Sequence, residues 1–276
     1  MPIHFSKMHG AGNDFVLIDL RGGQSAPDAA LARAIGDRHT GVGFDQLMTL
    51  EASDDPGCVA RYRIWNSDGS QARQCGNGAR CVAAWLLRDG TAKAPRFSLQ
   101  SPAGVIVIDC LPDGRLELDM GRPDFEPATI PLQAANSLPS YQTSLAGETI
   151  EFGAAAVGNP HALVVVEDIG RAPVARIGPL LQQSGLFPEG VNVGFAQIIA
   201  RDTIALRVYE RGAGETLACG SGTCAAVAIL VRQGRVDRRV AAHLPGGRLD
   251  ITWPADDAAV RIAGPATFVF EGEWQA

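Results

Sequence analysis

Two stretches of the chain are apolar on nearly every side. Residues 77–88 contain Cys81-Val82-Ala83-Ala84-Trp85-Leu86-Leu87, and residues 221–232 contain Cys224-Ala225-Ala226-Val227-Ala228-Ile229-Leu230-Val231. A helix that is apolar all round is buried all round, so each stretch predicts a central helix. Gly90 and Gly234 follow them where a C-terminal cap is expected. Strand patterns dominate elsewhere: 13–20, 104–110, 114–120, 161–167, 192–200, 248–253 and 266–271, with strand ends at 62–65 and 206–209. One more helix is expected near 28–37 and another near 173–184.

The two helical stretches belong to an internal repeat. Residues 62–90 align without a gap onto 206–234 at an offset of 144, with eight of 29 positions identical. The identities include Arg63/Arg207, Cys75/Cys219, Gly76/Gly220, Gly78/Gly222 and Gly90/Gly234. Upstream, Gly12-Asn13 recurs as Gly158-Asn159 and Gln46 as Asn192, at an offset of 146. The pattern predicts an α+β protein of two pseudo-symmetric lobes, each a curled, mostly antiparallel sheet wrapped around a central helix. The Gly121-Arg122-Pro123 stretch marks the junction. The expected lobes are 1–119 and 120–264, with a cleft between them where the two Cys-bearing helix starts face each other.

Composition narrows the partners. The 276 residues are 46% hydrophobic, enough for a sizeable core, and carry a net charge of −6. That charge, with no basic run interleaved with aromatics, argues against nucleic acid or an anionic membrane as the main partner. No run of eighteen apolar residues exists, and Met1–Phe5 lacks a basic stretch followed by an apolar core. A cytoplasmic location is therefore expected. The six cysteines (58, 75, 81, 110, 219 and 224) are sparse and form no C-x-x-C, so free thiols are expected rather than a zinc or thioredoxin-like site. Neither of the two lysines, Lys7 and Lys93, sits in a recognisable pyridoxal-phosphate context.

Each repeat places a cysteine and glycines at a helix start. The first N–H groups of a helix have no internal partner, and the dipole adds partial positive charge there. That field stabilises a thiolate and lowers its pKa, while a carboxylate can dock on the same N–H groups. Two such sites can hold one α-carboxylate and place a sulfur on each face of its α-carbon. Inverting an α-carbon needs a base on one face and an acid on the other, with developing charge stabilised by preorganised donors. A single cysteine before a Gly-rich helix reads more readily as a small buried residue. Its paired recurrence reverses that. Cys58, Cys81, Cys110 and Cys224 keep the core reading. A phosphate cradle lacks its Walker lysine.

The blocks Lys7-Met8-His9-Gly10-Ala11-Gly12-Asn13-Asp14-Phe15, Gly41-Val42-Gly43-Phe44-Asp45-Gln46, Asn66-Ser67-Asp68-Gly69-Ser70, Cys75-Gly76-Asn77-Gly78-Ala79-Arg80-Cys81, Gly158-Asn159-Pro160-His161 and Glu210–Thr216 followed by Ala218-Cys219-Gly220-Ser221-Gly222 resemble the motifs of the diaminopimelate epimerase family. The resemblance runs through nearly the whole chain; CGxG alone would suggest only the wider proline-racemase-like superfamily. It implies interconversion of LL- and meso-diaminopimelate in bacterial lysine and cell-wall precursor synthesis, with no cofactor, no metal and a homodimer. It implies Cys75 and Cys219 as the acid/base pair. Gly76, Asn77, Gly220 and Ser221 would hold the carboxylate of the reacting centre. Asn13, Asn66, Asn159, Asn192 and Arg211 would read the distal amino-acid end, with Gln46 and Glu210 on the reacting centre's amino group. It also implies that the C-terminal strand, within 265–276, returns to the first lobe. Gln71-Ala72-Arg73-Gln74 departs from the family's acidic-plus-Met version, just outside the site motif.

The residue chemistry agrees with these roles: a second zwitterionic end needs a guanidinium for its carboxylate and amide or carboxylate oxygens for its ammonium. His161 is a candidate for assisting polarisation, with packing as the alternative, and His9 lies near the site by sequence. Competing readings are a proline or hydroxyproline racemase with the same thiols, a PhzF-like isomerase, which lacks the cysteine pair, a non-enzymatic amino-acid binding module, and a redox sensor built on the two cysteines.

Overall fold

The computed structural model describes residues 2–275. By its internal contacts the chain divides into two compact units, Met1–Asp119 with Ala263–Ala276, and Met120–Ile262. Both are α+β.

The first unit contains β1 (Ile3–Gly10), β2 (Asn13–Asp19), α1 (Ala29–Gly36), β3 (Gln46–Glu51), β4 (Ala60–Asn66), β5 (Gln71–Ala72), α2 (Gly76–Asp89), β6 (Arg96–Ser101), β7 (Gly104–Cys110) and β8 (Leu116–Asp119). Most pairings are antiparallel: β1–β2, β3–β4, β4–β5, β6–β7 and β7–β8. Two are parallel, β2–β3 and β4–β6. Helix α2 packs on β1, β2, β3 and β8. On β2, Phe15 and Met48 of β3 crowd Gly78 of α2, where an added Cβ would lie 2.8 Å from the Met48 methyl. The alternate residues Val16, Ile18 and Leu47 join Ala32 and Ile35 of α1 in a second apolar cluster. With both faces covered, β2 is a continuous buried apolar run rather than an alternating one.

The second unit contains β9 (Tyr141–Leu145), β10 (Glu148–Ala156), β11 (Pro160–Val165), a 3₁₀ turn at Ile169–Arg171, α3 (Val174–Gln182), β12 (Asn192–Ala200), β13 (Thr203–Glu210), β14 (Gly214–Thr216), α4 (Gly220–Arg232), β15 (Arg239–Leu244), β16 (Gly247–Thr252) and β17 (Arg261–Gly264), within which the boundary between units falls. Its pairing scheme repeats the first: antiparallel β10–β11, β12–β13, β13–β14 and β15–β16, parallel β11–β12 and β13–β15. Helix α4 takes the place of α2, packing on β10, β11, β12 and β16. Val227, Ile229 and Leu230 are 2% exposed or less. Each such side chain contributes about 1.5–3 kcal/mol relative to leaving it in water. The last strand, β18 (Thr267–Trp274), pairs antiparallel with β1, as β9 does with β10.

The observed helices α2 and α4 extend one residue N-terminal to the expected 77–88 and 221–232. Gly90 caps α2 in the left-handed region at φ 81°, and Gly234 has φ 70°. β18 runs to Trp274, past the expected 271, because Glu271-Gly272-Glu273 continues the ladder with β1 despite its polarity. Strands β1, β3, β5, β6, β9, β10, β14, β15 and β17 lie outside the stretches that the strand pattern predicts.

Candidate active site

The first half-site is built on two hairpins and a helix start. β1 turns into β2 through Ala11 and Gly12, both at positive φ (50° and 82°), and the turn presents Asn13. His9 Nδ1 accepts a long bond from the Gly12 N–H, at 3.4 Å, so this histidine braces the turn. β4 ends at Asn66, where Gly69 carries φ 82° and an added Cβ would lie 2.4 Å from the Ala29 carbonyl. β5 then leads into Cys75, the N-cap of α2, whose sulfur accepts the Gly78 N–H at 3.3 Å. The sulfur is thus in the first-turn field that sequence reasoning anticipated.

Around Cys75 the polar groups are linked. Its Sγ lies 3.8 Å from Asn13 Oδ1, which also accepts from Asn77 Nδ2 at 3.4 Å. Asn77 Oδ1 in turn accepts from Arg80 Nη2. Asn13 Nδ2 donates to Asp45 Oδ2 at 2.7 Å. Gln46 and Asn66 form a second group: Gln46 Nε2 donates to Asn66 Oδ1 at 2.9 Å. Beneath Asn13, Asp14 binds Lys7 and Arg38, and Arg38 also holds Asp45 at 2.7 Å. Burial pushes the Asp14 carboxyl up, but Arg38 and Lys7 outweigh it and hold the group at about 2. Lys7, Arg38, Asp45 and Arg80 join the site beyond the residues that the sequence points to. The signals available were that Lys7 is one of only two lysines, and that Arg80 is the one charge within an otherwise uncharged helix start.

The second half-site repeats the plan with different chemistry. The parallel register Phe15↔Gln46 recurs as His161↔Asn192, so Gln46 and Asn192 hold equivalent rungs. Gln46 pairs with Asn66 across β3–β4; Val193 pairs with Tyr209 across β12–β13, each adjacent to Asn192 and Glu210. Glu210 therefore takes the place of Asn66. Asn192, 4% exposed, accepts the Arg211 N–H at 2.9 Å and donates to the Pro160 carbonyl at 3.2 Å. Arg211 Nη1 donates to the Glu189 carbonyl at 2.6 Å. Asn159 Oδ1 lies 2.8 Å from His161 Nε2. His161 is buried, and burial first, then the Arg211 charge, depress its pKa to about 3. It is neutral at pH 7 and donates through Nε2.

Cys219 is the N-cap of α4, but its sulfur donates to Glu210 Oε2 at 3.1 Å, with Ser221 Oγ at 3.7 Å. Thr216 Oγ1 donates to the other carboxylate oxygen. Here the expected sign reverses. Burial, then the Glu210 charge and hydrogen bond, push the Cys219 thiol well above its ordinary value. The Gly222 N–H, short of a capping bond, and the Ser221 hydroxyl pull the other way and lose. Partial charges at a helix end are outweighed by burial together with a full like charge within hydrogen-bond reach. Cys219 is a thiol in this state.

No two of the six cysteines are joined in a disulfide. Cys58, Cys81 and Cys224 are buried and Cys110 half-buried. Cys75 with Asn13, Gly76 and Asn77 forms one cluster; Cys219 with Glu210, Gly220 and Ser221 forms another.

A family model for diaminopimelate epimerase matches residues 5–126 and 153–269. A protein named diaminopimelate epimerase from Xanthomonas axonopodis pv. citri (strain 306) is 56% identical over 273 residues, covering 99% of this chain and 96% of that one. Its namesake from Xylella fastidiosa (strain M12) is 54% identical over 274 residues, with the same coverage. Among solved structures, a PhzF-family phenazine biosynthesis protein from Bacillus anthracis has a TM-score of 0.72 at 16% identity, covering 100% of both chains. A probable proline racemase from Agrobacterium radiobacter K84 has a TM-score of 0.70 at 18% identity, covering 99% of this chain and 93% of that one. At those identities the likeness is one of fold.

Proposed function

The chain belongs to the diaminopimelate epimerase family, and from that premise we propose that it interconverts LL- and meso-diaminopimelate using Cys75 and Cys219 as the two proton-transfer groups. The observation that carries this reading is the duplicated helix N-cap: Cys75 on α2 and Cys219 on α4, each after the same strand–turn–strand.

Each sulfur acts on one face of the same α-carbon. The α-carboxylate is held on the first-turn N–H groups of Gly76 and Gly220, with the Asn77 amide and the Ser221 hydroxyl. These donors stabilise the charge that the departing α-proton leaves on the carboxylate. One sulfur, as thiolate, takes the α-proton and becomes a thiol. The other, as thiol, delivers a proton to the opposite face and becomes a thiolate. The chain's own acid and base suffice, so the reaction as drawn calls on no cofactor. Glu210 and Gln46 hold the reacting ammonium, and Asn13, Asn66, Asn159, Asn192 and Arg211 read the distal zwitterion. Neutral His161 fixes Asn159 rather than carrying a proton.

The same reading carries a homodimer, a small amino acid as the only ligand, and a cytoplasmic place in lysine and cell-wall precursor synthesis. Among the described residues no helix is long and apolar enough to cross a membrane. The test is α-proton exchange in deuterated water, screened over LL-diaminopimelate, proline and hydroxyproline. Exchange with inversion is expected on diaminopimelate alone. Turnover of proline or hydroxyproline in its place would move the chain's activity to the rival cyclic substrates.

A further inference from the structure

Arg80 is the largest side chain with no solvent exposure among the described residues. It sits one turn into α2, and three hydrogen bonds tie its guanidinium to groups at and beside the first half-site. Nη2 donates to Asn77 Oδ1, Nη1 to the Gly76 carbonyl at 3.5 Å, and Nε to the Pro265 carbonyl at 3.5 Å. The last two are long; the Asn77 contact is the strong one.

That contact has a direction. A guanidinium donates and never accepts. It therefore obliges Asn77 to turn its oxygen inward and its NH₂ toward Asn13. Asn13 then accepts with Oδ1 and must donate with Nδ2, which it does, to Asp45. The carboxylate of Asp45 only accepts. Two side-chain amides that are ambiguous by themselves are thus strung between an obligatory donor and an obligatory acceptor. Only one arrangement satisfies all four residues.

We propose that Arg80 is a positioning residue of the reaction: it holds the Asn77 amide in the one orientation that presents N–H groups to Asn13 and to the substrate carboxylate. This rests on the reading that Asn77 grips that carboxylate. The internal repeat supplies independent support. At the offset of 144, Asn77 corresponds to Ser221 and Arg80 to Cys224. A hydroxyl rotates freely and can donate in any direction, so it needs no orienting partner. The half-site with the flippable amide has the buried guanidinium. The half-site with the hydroxyl has a small thiol in its place, fully buried in α4.

The experiment compares wild type, Arg80→Lys and Arg80→Met. Steady-state kinetics on diaminopimelate are read beside the side-chain NH₂ signals of Asn77 in ¹⁵N-labelled, ligand-free protein. In wild type the two Asn77 protons are expected to be distinct and slow to interchange. In folded Arg80→Met they shift and interchange faster, and kcat/KM falls about 10- to 100-fold, the loss of a charge-assisted hydrogen bond. Most of the loss falls on kcat, because the carboxylate gains charge in the transition state. Arg80→Lys, which keeps a donor-only tip, lies between the two. Arg80→Met with kcat/KM within twofold of wild type, or with unmoved Asn77 signals, overturns the proposal. If Arg80→Met does not fold, Arg80→Lys decides. A shift of its Asn77 signals with at least a threefold fall in kcat/KM supports the proposal, and wild-type behaviour in both overturns it. Inactive wild type would count against the substrate assignment, while the Asn77 signals would still report on Arg80.

Discussion

Replacing Glu210 by Gln tests the reversal of sign at Cys219. The thiol donates to Glu210 Oε2 at 3.1 Å. Ionising it there would put two negative charges against each other, at a cost of about 5 kcal/mol for an effective dielectric near 20 and that 3.1 Å separation. Glu210 is half-buried, so water at its open side brings the net effect below that bound. Gln keeps the shape and an acceptor for Thr216 and removes the charge. The titration midpoint of Cys219, followed by its ¹³Cβ shift with Cys75 as internal reference, therefore moves down. Burial, the largest contribution, is untouched, so the midpoint stays above that of a free cysteine. Activity falls as well, since the same carboxylate is assigned to the substrate ammonium; the titration is the diagnostic reading. A midpoint that stays put or rises would refute the electrostatic account of Cys219.

Arg211→Met leaves the distal carboxylate of diaminopimelate without its cation and should cost about 2–5 kcal/mol in kcat/KM; wild-type kinetics in that variant would remove Arg211 from the site. His161 contributes stability that is fully present above its unfolded pKa near 6.5 and is lost as pH falls toward its folded value of about 3. The full loss is about 5 kcal/mol, so urea unfolding of His161→Gln should show a flatter acid limb than wild type between those pH values, and an equally steep limb would show that His161 does not titrate there.

The site was legible in the sequence where the duplication preserved it. Cys75 and Cys219, Asn13 and Asn159, and Gln46 and Asn192 recur because each pair holds the same rung or cap in the same pairing scheme. Even the change of offset from 146 to 144 has a structural cause. β12 joins β13 through a tight turn at Ala200 and Thr203, whereas an eight-residue loop, 52–59, joins β3 to β4. Strands were legible where β-branched residues ran together. β10 was not, because Phe152-Gly153-Ala154-Ala155-Ala156 has small residues that fit under α4, where a Cβ on Gly153 would lie 2.3 Å from the Ile229 side chain. What distinguishes the two halves was harder to read. The helix-start rule treats both thiols alike; only the structure reveals that burial, and then the approach of Glu210, hold Cys219 protonated. Arg80 lies inside a recognised motif, but nothing in CGNGARC says that its side chain turns back to Asn77.

The central claim is that two thiols act on one α-carbon, and the direct test is the isotope content of the first-turnover product formed from LL-diaminopimelate in deuterated water. The account predicts deuterium at the inverted α-carbon of product from the first turnover, with much less in recovered substrate, because a proton held on the first sulfur returns before it exchanges. Inversion should vanish in Cys75→Ala and in Cys219→Ala alike, with losses that do not add. Early product that retains its original hydrogen, or efficient epimerisation by a protein lacking either cysteine, would contradict it.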